Sequence, residues 1–120
     1  SDVCSSDLRL LTKVIESRLL ANHKKVVESG GEISLKPVVK YFNPVGSATW
    51  LITDVDDDGI LFGLADLGFG TPELGYVSLK ELEGVKVGFG LGIERDLSFE
   101  ADKTVSEYAT EARELGYINV

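Results

Sequence analysis

The stretch that decides the fold runs from Ala48 to Ala65 and reads ATWLITDVDDDGILFGLA. Two segments rich in β-branched and apolar residues, 48–53 and 60–65, flank an acidic run that ends in an Asp-Gly pair. An Asp-Gly pair between two such segments is typical of a hairpin turn. The sequence therefore predicts two antiparallel strands joined by a solvated acidic turn.

Further strands are predicted on both sides of this hairpin. Val38–Phe42 is rich in β-branched and aromatic residues and ends at the proline and glycine turn Asn43–Gly46. Leu74–Val77 follows the hairpin as a fourth strand, and the apolar odd positions of Ile93–Phe99 predict a half-buried fifth strand. The three successive strands 38–42, 48–53 and 60–65, with their short connections, predict an antiparallel meander.

Amphipathic helices are predicted near both ends of the chain. Thr12 has the residue type of an N-cap for a helix that runs into the twenties, and Ser29–Gly31 breaks the helical pattern. Thr104 and Glu107 have the spacing of a capping box, and Gly116 ends the helix that they open.

A short helix of about two turns is predicted from Ser78 to Gly84. Ser78 and Glu81 have capping-box spacing, and Gly84 can take the left-handed conformation that ends a helix. Strands and helices do not alternate as a parallel sheet requires. The predicted class is therefore α+β: a mainly antiparallel sheet with the N-terminal helix, this middle helix and the C-terminal helix packed on it.

The length of 120 residues fits one domain. Residues 10–120 are therefore assigned to a single α+β domain. The opening SDVCSSDL at Ser1–Leu8 is small and polar without a helical period, so residues 1–9 are expected to be a non-native leader.

The net charge of −8 disfavours direct binding of nucleic acids and of anionic membrane surfaces, because both depend on Lys and Arg. Cys4 is the only cysteine, which excludes an intrachain disulfide and a thiolate zinc cluster. No run approaches the ~20 apolar residues of a spanning helix. We expect a cytoplasmic protein with neither a nucleic-acid nor a membrane partner.

The acidic run partly resembles a calcium-binding loop. Asp54, Asp56, Asp58 and Gly59 match the first, third, fifth and sixth positions of an EF-hand, but the twelfth position is Ala65 in place of glutamate. The flanks also resemble strands, whereas an EF-hand lies between helices. We therefore expect a hairpin turn, with neither a metal nor another cofactor.

No residue set assigns a catalytic site. The one histidine, His23, lies in a polar stretch at the end of the first helix and is predicted to be a surface residue favoured there by the helix dipole. Glu94 and Asp96 would lie on one side of a strand, about 7 Å apart. That separation suits acid-base hydrolysis, and it is equally typical of an exposed strand face.

Five ordered blocks resemble an uncharacterised bacterial family of short proteins, a domain-of-unknown-function family often carried on plasmids, phages and integrative elements. The blocks are LLTK at Leu10–Lys13, KYFNPVGSATW at Lys40–Trp50, LFGLAD at Leu61–Asp66, ELGYVSLKELE at Glu73–Glu83 and GLGIERDLSFE at Gly90–Glu100. The resemblance covers residues 10 to 100 and leaves the helix from Thr104 outside it.

The resemblance implies no reaction and no cofactor, but it does imply a setting. Small acidic proteins of mobile elements often bind host machinery such as restriction or CRISPR nucleases. We therefore expect a non-catalytic protein-binding module that is monomeric or a small homo-oligomer, and the alternative is a small hydrolase that uses Glu94 or Asp96. The candidate partner-binding residues are Glu94, Asp96, Asp54, Asp56 and Asp58.

Overall fold

The computed structural model describes residues 12–31, 33–43, 46, 48–68, 70–84, 92–96 and 99–118. Three helices lie in this part of the chain: α1 (Lys13–Glu28), α2 (Leu79–Gly84) and α3 (Val105–Leu115). The strands are β1 (Val39–Phe42), β2 (Thr49–Val55), β3 (Ile60–Asp66), β4 (Glu73–Ser78) and β5 (Glu94–Arg95). The predicted α+β class is confirmed.

The five strands form one antiparallel sheet in the order β4-β3-β2-β1-β5. The first three strands in the chain make the predicted meander, β4 extends it beside β3, and β5 pairs with β1 at the far edge. β5 is shorter than the strand predicted over Ile93–Phe99. After Arg95, the Asp96 backbone N–H donates to the Lys40 carbonyl of β1 at 2.9 Å. Residues 97 and 98 lie outside the described part.

The predicted hairpin turn between β2 and β3 is confirmed, and Asp56 closes it. The Asp56 backbone N–H donates to the Ile60 carbonyl at 3.0 Å. Its Oδ1 accepts the backbone N–H groups of Asp58 at 2.8 Å and Ile60 at 2.9 Å. Gly59 has a φ of 79°, a conformation that glycine adopts without steric cost. The run of acids therefore supplies a turn.

The core lies on both faces of the sheet, because alternate side chains of the central strand β2 point to opposite sides. Every residue from Trp50 to Val55 is buried. The first face buries Leu19, Val39, Tyr41, Trp50, Ile52, Val55, Leu61, Leu82 and Ile93. The second face buries Leu51, Leu64, Val105, Tyr108, Ala109, Ala112 and Ile118. Helix α1 and α2 contribute to the first face, and α3 covers part of the second.

The capping signals predicted for α1 and α3 are confirmed, and the capping box predicted at Ser78 and Glu81 is not among the bonds found in the described residues. The Thr12 side chain accepts the Ile15 N–H at 3.2 Å at the start of α1. At α3, both halves of the Thr104–Glu107 capping box are formed, and Gly116 is left-handed with a φ of 82°. The left-handed conformation predicted for Gly84 is wrong, since Gly84 remains a helical residue of α2 and lacks a positive φ.

The capping box makes the stability of α3 depend on pH. Hydrogen bonds from the Thr104 backbone N–H and hydroxyl hold the pKa of Glu107 below its ordinary value. A carboxylate with a depressed folded-state pKa stabilises the fold above its ordinary pKa of about 4.3, and that stabilisation is lost as pH falls through the lower folded-state pKa. We expect Glu107→Gln to reduce the loss of unfolding free energy between about pH 6 and about pH 3.

Urea unfolding at a series of pH values measures this change. Glu114→Gln is the matched control, because Glu114 is an exposed acid of the same helix that has no hydrogen bond to a described residue. If the control flattens the pH profile as much as Glu107→Gln does, the capping box is not the source of the acid sensitivity.

Candidate functional site

Asp54 is not part of the solvated turn, and that part of the sequence-based prediction is wrong. β2 continues through Val55, so Asp54 lies within the strand and is only 4% exposed. Its Oδ2 lies 3.0 Å from Nδ1 of His23, and its Oδ1 accepts the Thr53 hydroxyl at 2.6 Å. The pairing register shifts between Ile52 and Asp54, which marks a bulge at Thr53. Asp54 is therefore buried, and both of its carboxylate oxygens are engaged within the fold.

The other candidate acids fall into two separate groups. Asp56 and Asp58 lie in the β2–β3 turn, where Asp56 is half-buried as the cap and Asp58 is exposed. Glu94 is exposed on β5, at the edge of the sheet opposite β4. Asp96 was expected to be free, but its Oδ2 lies 3.4 Å from Nζ of Lys40. The structure brings no single acidic surface together from these residues.

The alternation predicted around β5 is confirmed over the three residues that precede Asp96. Ile93 is 9% exposed, Glu94 is exposed and Arg95 is half-buried opposite Tyr41 of β1. The hydrolase alternative gains no support from this edge, because the Asp96 carboxylate is paired with Lys40 and the strand is only two residues long.

His23 was predicted to be a plain surface residue, but it joins α1 to the bulge of β2. Beside its contact with Asp54, the neighbouring Asn22 side chain donates to the Thr53 carbonyl at 2.9 Å. Both contacts link residues 31 positions apart, so helical periodicity could not reveal them. The one available signal was that Asp54 stands between the apolar residues Ile52 and Val55, as a residue inside a strand would.

Among the described residues, the outer side of β4 is an open sheet edge. In the described part of the chain β4 pairs with β3 alone. Its sequence, ELGYVS, carries one charge and lacks the lysine, proline or bulge that commonly protects an edge strand. Tyr76 is 77% exposed at the middle of this strand, and its ring packs on Phe62 with ring centroids 5.0 Å apart.

Grooves flank β4 on both faces of the sheet. On the second face, a cleft of about 430 Å³ lies between β3 and β4, the end of α1 and the start of α3. On the first face, a smaller groove of about 250 Å³ lies over β2, β3 and β4. The second-face cleft includes His23, Val27, Ile33, Asp54, Phe62, Leu74 and Tyr76, and the first-face groove includes Trp50, Ile52, Gly63, Ala65, Gly75 and Val77.

The lining of these grooves follows from the strand register. Phe62 and Tyr76 face each other on the second face, and Gly63 faces Gly75 on the first. The two glycines have no side chains, and that leaves the first-face groove open down to Trp50. Since a strand added beside β4 would point successive side chains to opposite faces, each groove could receive alternate side chains of that strand.

The described residues contain neither a metal-binding cluster nor a membrane-spanning helix. No group of three or more His, Cys, Asp and Glu side chains that could hold a metal ion is found among them. In the same part of the chain, every helix is too short or too polar to cross a membrane.

Comparison with known proteins gives one family match. A family model described as a protein of unknown function (DUF2958) matches residues 10–119. The match extends past residue 100, so α3 is part of the family domain, whereas the sequence blocks alone had left it outside. No curated protein and no solved structure matches the chain.

Proposed function

Because the chain belongs to the DUF2958 family, whose description assigns no activity, we propose from its geometry that it is a non-catalytic protein-binding module. It takes up an extended segment of a partner protein along the outer edge of β4. The observation that carries this proposal is an open six-residue edge strand with a groove on each face and an exposed tyrosine at its centre.

Strand addition suits this edge because it uses backbone groups that β4 already presents. Backbone hydrogen bonds to an added strand supply affinity, and the pockets for alternate side chains supply specificity. The second-face cleft offers Tyr76 and Phe62 as apolar walls, with Ile33 42% exposed at its rim. Exposed tyrosines beside apolar pockets are frequent sources of binding energy at interfaces.

The charges near β4 indicate which segments it takes up. The Leu79 N–H donates to the Gly59 carbonyl at 3.0 Å, so the acidic turn lies beside the C-terminal end of β4. Asp57 and Asp58 are exposed in that turn, and Glu73 is exposed at the other end of the strand. With the net charge of −8, these acids favour a segment whose apolar centre is flanked by Lys or Arg.

The setting that we propose is a bacterial mobile element, with host defence machinery such as restriction or CRISPR nucleases as the class of partner. The support is the resemblance of the five sequence blocks, together with the acidity. Proteins that act on nucleic acids carry basic surfaces. A basic segment of such a surface would match the acids at both ends of β4.

Selection from a library of displayed random peptides tests the proposal. We expect the immobilised protein to enrich peptides with alternating apolar residues and flanking Lys or Arg, and the Tyr76→Ala variant not to enrich them. Enrichment of acidic peptides, of helical amphipathic peptides, or of the same peptides by both proteins would contradict strand addition at β4.

A further inference from the structure

A third cleft lies away from the β4 edge, between α1, the segment before β1 and the residues that precede α3. Its volume is about 680 Å³, within the range of small-molecule sites. The residues that line it include Arg18, Asn22, Lys25, Lys36, Phe99 and Glu100. Three of these six side chains are cations and one is an anion, which inverts the charge balance of a chain with 20 acidic and 12 basic residues.

The cations reach the cleft from two sides. Arg18, Asn22 and Lys25 are spaced four and three residues apart on α1, so they share one face of the helix. Lys36 comes from the opposite wall. The segment that carries Lys36 is held in place where the Leu35 carbonyl accepts the Val105 N–H at 2.8 Å.

In the described part of the chain, none of these three cations forms a close ion pair with a carboxylate. The ion pairs found there use other side chains, those of His23, Lys40 and Lys103. The Asp102 carboxylate accepts the Tyr108 hydroxyl at 2.8 Å and keeps its negative charge, which Lys36 attracts. Even with Glu100 in the lining, the three cations outnumber the acid that lines the cavity, and this excess of positive charge attracts an anion.

We propose that this cleft binds a small phosphate-bearing ligand, independently of partner binding at β4. The Arg18 guanidinium can hold two phosphate oxygens at once. Lys25, on the same wall as Arg18, and Lys36, on the opposite wall, each add a positive charge. Phe99 and the buried Pro37 give the cleft an apolar part that suits the organic portion of such a ligand.

Titration calorimetry with inorganic pyrophosphate tests this site. We expect saturable binding at low salt that weakens as salt is added. Lys25→Ala should weaken binding by about tenfold or more, because it removes a charge-assisted hydrogen bond. Lys24→Ala is the matched control: Lys24 directly precedes Lys25 in α1, is exposed, and is not among the residues that line the cleft.

Three results would overturn the inference. They are absence of binding, equal weakening by both lysine variants, and binding of a single-stranded oligonucleotide in place of pyrophosphate. Circular dichroism confirms that each variant is folded. Neither variant alters β4, so a failure here leaves the peptide selection unaffected, and a failure at β4 leaves this titration unaffected.

Discussion

Replacing Gly63 by alanine is expected to lower the free energy of unfolding by about 3 kcal/mol or more, the upper range for overpacking in a close-packed core. Gly63 is buried in β3 beside the bulge of β2. A Cβ atom built on it would overlap the backbone of Leu51 and Ile52. Because these atoms belong to the central strand, they cannot move away as the end of a flexible side chain could.

Gly75 provides a matched control, since it is the pairing partner of Gly63 in β4. A Cβ atom added at Gly75 meets none of the described atoms within 4 Å. We expect Gly75→Ala to change stability by about 1 kcal/mol or less, with stabilisation favoured because alanine restricts the unfolded chain. Urea unfolding of both variants measures the difference. Equal stability of the two variants would show that the close approach of β2 and β3 does not constrain position 63.

Replacing Tyr76 by alanine is expected to weaken binding of a selected peptide by roughly 30-fold, the effect of losing a hot-spot aromatic worth about 2 kcal/mol. The same change should cost the fold about 1 kcal/mol or less, since the ring is 77% exposed and contacts Phe62. Fluorescence anisotropy with a labelled peptide gives the affinity, and thermal unfolding gives the stability.

Tyr117→Ala is the control for Tyr76→Ala. Tyr117 is also an exposed tyrosine, at 52%, but it follows α3 and lines neither groove beside β4. We expect its replacement to leave peptide affinity unchanged. Similar losses of affinity in the two variants would indicate nonspecific aromatic contact and would remove Tyr76 from the binding surface.

Features that depend on neighbouring residues were predictable from sequence. The capping box of α3, the strand alternation and the Asp-Gly turn each involve positions within a few residues of one another, so their physics is local. Thr104 with Glu107 and the turn closed by Asp56 both form as predicted. The order of the first three strands followed from the short connections between them.

Features that depend on distant residues were not predictable. The contact of His23 with Asp54 needs the angle at which α1 crosses β2, and no periodicity specifies it. The constraint on Gly63 arises from the backbone of another strand, so LFGLAD looked like an ordinary strand segment. The pairing of β5 with β1 was not predictable either. β4 and β5 follow one another among the strands but lie at opposite edges of the sheet, and local sequence does not specify such a crossing.

The acids illustrate the same distinction at the candidate site. Sequence spacing placed Asp54, Asp56 and Asp58 in one turn, but the bulge at Thr53 and the length of β2 bury Asp54. The open edge at β4 was hidden as well. A strand becomes an edge only through the order of the whole sheet, which a list of predicted strands does not give.

The central claim is that the outer edge of β4 is the binding surface, and hydrogen–deuterium exchange with and without a selected peptide tests it most directly. The account predicts that outward-facing amides of Glu73–Ser78 exchange quickly in the free protein and slowly in the complex, because they then donate to the added strand. Protection confined to another surface, such as α3 or the Glu94–Asp96 segment, with β4 unchanged, would contradict the account.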